Sequence, residues 1–260
     1  MHYLISGLAK SGTTRLFTQV EDALKARGES PRTYFEPWED SVLAAITAEP
    51  GVSLTKILIG QVAAANPQLP AFDRHVLIYR DPRDQFLSTL LYLFYDFQEK
   101  GDGEAFARAY AALEKKVADP EGVSALELYD EVAKLAGRPG RVVFSRLHEV
   151  QRAFVETLAP FELSYEALID GVATGELGAY LGLTLGNDVT VSSDYARVSR
   201  SKSYGEWKHW LTASDQEWVN AHWGQHLRDL GYSLEPVQEK PVISERTSLE
   251  YVSQFRPGAA

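Results

Sequence analysis

Apolar runs without periodicity alternate with stretches of helical period along most of the chain. Residues 3–6 (YLIS) form a short buried-strand run that enters a loop bounded by Gly7 and Gly12. Behind that loop, Leu16, Phe17, Val20, Ala23 and Leu24 share one face of a helix predicted over residues 14–26. Residues 56–60 (KILIG), 75–79 (HVLIY) and 161–165 (FELSY) read as further buried strands, each separated from the next by helical material. This alternation predicts an α/β fold of three layers, with a central parallel sheet flanked by helices.

Past HVLIY, Asp81 suits an N-cap, Pro82 a first helical position and Asp84 the positive end of a helix dipole. A helix is expected from Pro82 to about Phe97, apolar nearly all round, with Ser88 as its polar exception. Residues 103–117 and 123–136 read as an inserted helical pair whose charges form solvated faces; residues 147–158 and 216–230 are further helices, the last ending at Gly231. The organisation expected is one domain over residues 1–235, with 103–136 as a helical insertion placed to cover an acceptor site. The tail 236–260, which holds Pro236, Pro241 and Pro257 and has no periodicity, is expected to be irregular.

Composition changes this picture only by exclusion. Hydrophobic residues make up 45% and charged residues 24% of the 260, an ordinary soluble globular balance. No cysteine is present, which excludes disulfides and thiolate metal sites and makes the cytoplasm the default expectation. The formal net charge of −10 argues against broad binding to nucleic acid or to a membrane surface, so any anion site must be local. The histidines show no metal-ligand spacing apart from His222 and His226, read as a solvated or structural pair without a third ligand.

The local anion site is announced by Gly7 to Thr14, GLAKSGTT. Strand, glycine loop and helix in succession form a phosphate cradle of the P-loop type, in which backbone N–H groups and a helix N-terminus face the anion. A nucleoside-triphosphate loop, however, carries its lysine after the second glycine. Here Thr13 holds that slot, and Lys10 stands two residues before Gly12.

In this respect the chain resembles sulfotransferases that use 3′-phosphoadenosine 5′-phosphosulfate (PAPS). AKSGTT at residues 9–14 is similar to the family's 5′-phosphosulfate loop, PKSGTT; YRDPRDQFLS at 79–88 to its 3′-phosphate element; and RSKSYGEWKHWLT at 200–212 to its late R-K-G-x-x-G-D-W-K block. SYEALI at 164–169 fits the Y-E-D-L segment. Ala9 departs from the pattern in place of proline, and Ser201 and Lys202 replace the lysine and first glycine of the late block, with Lys202 supplying the displaced charge.

The resemblance implies a fold of the P-loop type and transfer of a sulfuryl group to a hydroxyl or amine of a small-molecule or carbohydrate acceptor. The product is adenosine 3′,5′-bisphosphate (PAP), and no metal is required. It assigns Lys10 to the leaving phosphate, Ser11, Gly12, Thr13, Thr14 and Arg15 to the 5′-phosphate loop, and Arg80, Ser88, Arg200, Lys202 and Gly205 to the 3′-phosphate, while Tyr165 contacts the adenine. The histidine base of one branch of the family is replaced near its usual place by Gly60 and Gln61. A glutamate after the first helix takes that role in other branches, which points to Glu36 in TYFEPW; Phe35, Pro37 and Trp38 would desolvate it and raise its pKa. Glu39, Asp40, Lys56 and His75 are alternatives. The rival readings are a P-loop kinase, with Asp81 as its magnesium ligand, and a nucleotide-binding protein without catalysis. Oligomeric state is not encoded legibly.

Overall fold

The structure is a computed structural model that describes residues 1–37, 39–62, 69, 71–186, 200, 203–237 and 240–258. It divides into two compact units, residues 1–80 with 147–199, and residues 81–146 with 200–260.

The first unit is built on a five-stranded parallel sheet. Its strands are β1 (His2–Gly7), β2 (Arg32–Phe35), β3 (Ser53–Leu58), β4 (Arg74–Tyr79) and β5 (Phe161–Ser164), in the order β2-β3-β1-β4-β5. The helices are α1 (Thr13–Ala26), α2 (Asp40–Ala48), the single turn α3 (Ile59–Val62), α9 (Tyr165–Asp170) and α10 (Thr174–Leu181), together with α8 (Val143–Leu158) from Leu147 onward.

Alternation along the strands sends neighbouring side chains to opposite faces. Tyr3, Ile5, Leu54, Val76, Ile78 and Leu163 meet Leu16, Val20 and Leu24 of α1 and Leu177 and Leu181 of α10. On the other face Leu4, Ile57 and Leu77 meet Leu43 and Ile46 of α2 and Phe154 of α8. Because all strands are parallel, the chain leaves each of them at one edge of the sheet, where Gly7, Phe35, Leu58, Tyr79 and Ser164 end.

The expected strands are present with shifted ends. The run KILIG forms a strand only as far as Leu58, and Ile59 and Gly60 turn into α3. Strand β2 lies in a segment read as a connection. It is an edge strand with Thr33 exposed and no residue fully buried, so it lacks the apolar signature that marked the others.

The second unit is helical in its described residues. It holds α4 (Pro82–Tyr92), α5 (Phe94–Lys100), α6 (Gly103–Ala118), α7 (Ala125–Ala136), α11 (Trp207–Trp210), α12 (Ala213–Asp229) and α13 (Leu249–Ser253). The helix expected over 82–97 is two helices, parted at Leu93, whose N–H reaches both Thr89 (3.0 Å) and Leu90 (3.2 Å), a local tightening of the turn.

One cluster joins Phe86, Tyr129, Phe144 and Trp223, with ring centroids 4.9 to 5.7 Å apart. The tail belongs to the same cluster. Ile243, Tyr251, Val252 and Phe255 are buried in it, and α13 lies where irregular chain was expected, because those apolar positions are too few and too close to prolines to show a period in sequence. Among the described residues no helix is long and apolar enough to cross a membrane.

Candidate functional site

The loop after β1 is shaped by two left-handed residues. Lys10 has φ 68° and Gly12 has φ 100°. Gly12 is the N-cap of α1 and has no side chain with which to cap it, so the first N–H groups of the helix face whatever lies before them. Ser11, 1% exposed, closes the loop on itself: its N–H and its hydroxyl both donate to the Leu8 carbonyl, at 3.3 and 2.8 Å. The hydroxyl expected to serve a phosphate is therefore engaged in holding the turn. Thr13 is buried, while Thr14 and Arg15 are half-buried on the first turn of α1.

Both glycines are required by contact. A Cβ on Gly7 would stand 2.5 Å from the Ile78 carbonyl oxygen and 2.6 Å from the Ser11 hydroxyl; a Cβ on Gly12 would stand 2.5 Å from Cδ2 of Tyr165. Tyr165, the first residue of α9, is thus the floor of the loop, and it is 6% exposed. Arg80, directly after β4 and also buried, lays its guanidinium 4.5 Å from the centre of the same ring. The structure brings Lys10 to Thr14, Tyr165 and Arg80 into one contiguous group. It gives Tyr165 a supporting position under both the loop and Arg80.

Gly12→Ala is expected to lower the melting temperature, since the left-handed backbone alone costs about 1–2 kcal/mol for a residue with a Cβ, before the clash with Tyr165. An unchanged melting temperature would show that the loop relaxes away from the ring.

Glu36 stands just beyond β2, at the same sheet edge, and it too is left-handed, with φ 59°. Its N–H donates to the Lys56 carbonyl at 2.8 Å, and its carboxylate accepts from Lys56 Nζ. The β2–β3 register sets this up by placing Phe35 opposite Lys56. Lys56 is 2% exposed, and its ammonium lies 3.9 Å from the centre of the Phe35 ring. Burial pulls the lysine below its ordinary 10.5, and the Glu36 charge and hydrogen bond oppose that pull. Glu36 is therefore half-buried as expected, but as one member of an ion pair. His75, the other basic alternative, is held near 4 by burial and shares a 2.8 Å hydrogen bond with Ser6.

In the second unit, Asp81 caps α4 by accepting from the Arg83 N–H at 2.9 Å. Both of its oxygens also accept from the Arg83 side chain, at 2.7 to 3.2 Å, and Arg83 lies over the Trp207 ring at 3.6 Å. Asp84, 1% exposed, accepts the N–H groups of Gly205 and of Trp207, the latter at 3.0 Å. This tethers the late block to the start of α4, one turn before the half-buried Ser88. Gly205 permits the turn with φ 80°. Arg200 donates through Nη1 to the Glu206 carboxylate and, at 3.1 Å, to the Thr247 carbonyl. Lys202 lies outside the described residues, as do Ser201 and Trp38.

Three of these partners, Lys56 for Glu36, Asp84 for the late block and Glu206 for Arg200, escaped the sequence because each lies across a strand pairing or a turn rather than at a helical spacing. No family model and no curated protein sequence matches the chain. Among solved structures, it is similar to mouse sulfotransferase SULT7A1 complexed with PAP, at 13% identity and a TM-score of 0.46, over 88% of this chain and 86% of that one. It is also similar to retinol dehydratase in a complex with retinol and PAP, at 14% identity and a TM-score of 0.35, over 88% of this chain and 81% of that one.

Proposed function

We propose that the chain is a PAPS-dependent sulfotransferase acting on a hydroxyl or amine of a small-molecule or carbohydrate acceptor. The observation that carries the reading is the loop itself: a cation, Lys10, held left-handed in mid-loop before an uncapped helix N-terminus, with a carboxylate, Glu36, at the same sheet edge. The donor set fits the cosubstrate. Gly12, left-handed and without a side chain, leaves the first N–H groups of α1 uncapped for an anion, and Arg200 keeps a buried Nε–H without a partner among the described residues.

PAPS supplies an activated sulfuryl group on its 5′-phosphate. In this reading Glu36 takes the proton from the acceptor as the acceptor oxygen or nitrogen bonds to sulfur. The old sulfur–oxygen bond leaves its electron pair on the 5′-phosphate, and Lys10 and the first N–H groups of α1 stabilise that developing charge. Lys56 keeps the Glu36 carboxylate in place, and Arg80, Ser88 and Arg200 serve the 3′-phosphate.

The kinase reading needs Asp81 as a magnesium ligand. Its two oxygens are engaged by Arg83 and by the helix cap, which leaves that role without a donor. The test is thermal: PAP at about 100 times its Kd should add roughly 2.7 kcal/mol to stability, while ATP with magnesium at the same concentration should add much less. The reverse order would sink the sulfotransferase reading.

A further inference from the structure

The C-terminal segment and Glu206 touch the one residue of the late block that the resemblance gives a charge-pairing role and the structure describes in full. We propose that they are positioning elements of the anion site: together they hold the Arg200 guanidinium by its Nη1 so that its Nε side is presented to a phosphate. The inference rests on the reading of Arg200 as a 3′-phosphate ligand.

The side chain of Arg200 is 5% exposed. A guanidinium at that depth must be paired and hydrogen-bonded. Its Nη1 meets both requirements, with the Glu206 carboxylate on one side and the Thr247 carbonyl, at 3.1 Å, on the other. Neither acceptor is free to wander. Glu206 takes the Ser203 hydroxyl on its second oxygen at 2.8 Å.

Thr247 is followed by Ser248, fully buried, whose hydroxyl donates to the Ser244 carbonyl at 2.6 Å. Beyond it α13 is anchored by Val252 and Phe255, at 0% and 1% exposure. Tyr251 lies near enough for the charge of Arg200 to act on its phenol, against the burial that pushes that phenol up. Two acceptors on one nitrogen, from segments fixed independently, set the plane of the guanidinium.

The opposite side is different. Nε is buried and has no hydrogen-bond partner among the described residues. A buried N–H left in that state is a desolvated donor that gains from an incoming acceptor. The Nε side of a planar guanidinium is one of the edges that receives a phosphate or carboxylate bidentately. The Thr247 carbonyl is neutral and so brings no charge to repel an approaching anion: it can hold the fork at Nη1 while the anion binds elsewhere on it. The tail thus has a task that its sequence did not display, and its anchoring in the core of the second unit is part of that task.

The experiment compares PAP with adenosine 5′-monophosphate, which lacks the 3′-phosphate, by calorimetric titration of the full chain. Wild type should prefer PAP. Glu206→Gln should lose about 10- to 100-fold in PAP affinity, the fold-change of one charge-assisted hydrogen bond, and less than about twofold in affinity for the monophosphate. Glu206→Asp keeps the charge needed by buried Arg200 on a shorter arm, and serves if the Gln variant does not fold; it too should lose PAP affinity selectively.

Tighter PAP binding in either variant would mean that the carboxylate competes with phosphate, and would overturn the proposal. Equal losses for both ligands, or no loss, would overturn it as well by assigning Glu206 to the fold alone. A wild type that does not distinguish PAP from the monophosphate would remove the 3′-phosphate reading of Arg200 itself, and the inference with it.

Discussion

Glu36→Gln should lower kcat by about 10²–10⁴-fold, the usual worth of a general base, while PAP affinity stays nearly unchanged. The amide keeps the shape and the left-handed backbone of Glu36 but cannot accept the acceptor's proton. The structure adds a second, independent signature, because the carboxylate is also the counter-charge of Lys56. Without it, burial alone acts on that lysine and its pKa falls further below 10.5.

A lysine with a folded pKa below its unfolded value binds fewer protons in the native state than in the unfolded chain between those two values. Stability then rises with pH across that window. The Gln variant should therefore show its largest deficit below the folded pKa of Lys56 and recover as pH approaches 10.5. Urea unfolding over an alkaline series checks the sign, and a deficit independent of pH would show that Lys56 is not the group left exposed to burial. Removing both partners in Glu36→Gln/Lys56→Met should restore much of the stability, since a buried pair replaced by uncharged groups is often neutral, and none of the turnover. A Gln variant with wild-type kcat on a hydroxyl acceptor would end the assignment of Glu36 as the base, and Lys56 would be the next to test.

How much of this was legible in advance depends on the kind of pattern each feature leaves. Strands β1 and β4 announce themselves because a strand covered on both faces must be apolar without a break, as Leu4-Ile5 and Val76-Leu77-Ile78 are, whereas β5, at the other edge with Glu162 exposed, is legible only through Phe161 and Leu163. Strand β2 does not announce itself, because an edge strand with Thr33 in solvent needs no such run. The cap of α4 is local chemistry between Asp81 and Arg83 and could be read from adjacent letters.

The Glu36–Lys56 pair could not. It follows from a register between parallel strands that are joined through α2, and nothing in TYFEPW or KILIG specifies that Phe35 falls opposite Lys56. The same holds for the tail. Tyr251, Val252 and Phe255 become core only because another part of the chain, around Tyr92 and Phe106, offers them a surface. Tyr165 illustrates a subtler gap: its motif suggests a ligand contact, and the packing of its ring against Gly12, where a Cβ would stand 2.5 Å from it, leaves no trace in SYEALI.

The sharpest test of the loop exploits its strain. Among described residues with a side chain, φ is positive only at Lys10, Glu36 and Ala159. A left-handed residue with a Cβ costs about 1–2 kcal/mol, and such strain gathers where function over-determines the backbone. Glycine adopts φ near 68° at no steric cost, so Lys10→Gly should leave the protein as stable as wild type or slightly more so, apart from the added freedom of its unfolded chain. The same change deletes the cation that, in the proposed reaction, meets the leaving phosphate. Loss of one preorganised electrostatic donor typically lowers kcat by about 10²–10³-fold, and the loss should appear in kcat more than in PAP affinity, because the charge on the leaving group is largest in the transition state. Stability and turnover are thus expected to move in opposite directions, or turnover alone to move. A Lys10→Gly protein that melts lower and loses activity in proportion would reduce Lys10 to a structural residue of the turn. One that turns over at the wild-type rate would show that the displaced lysine of GLAKSGTT has no part in the chemistry.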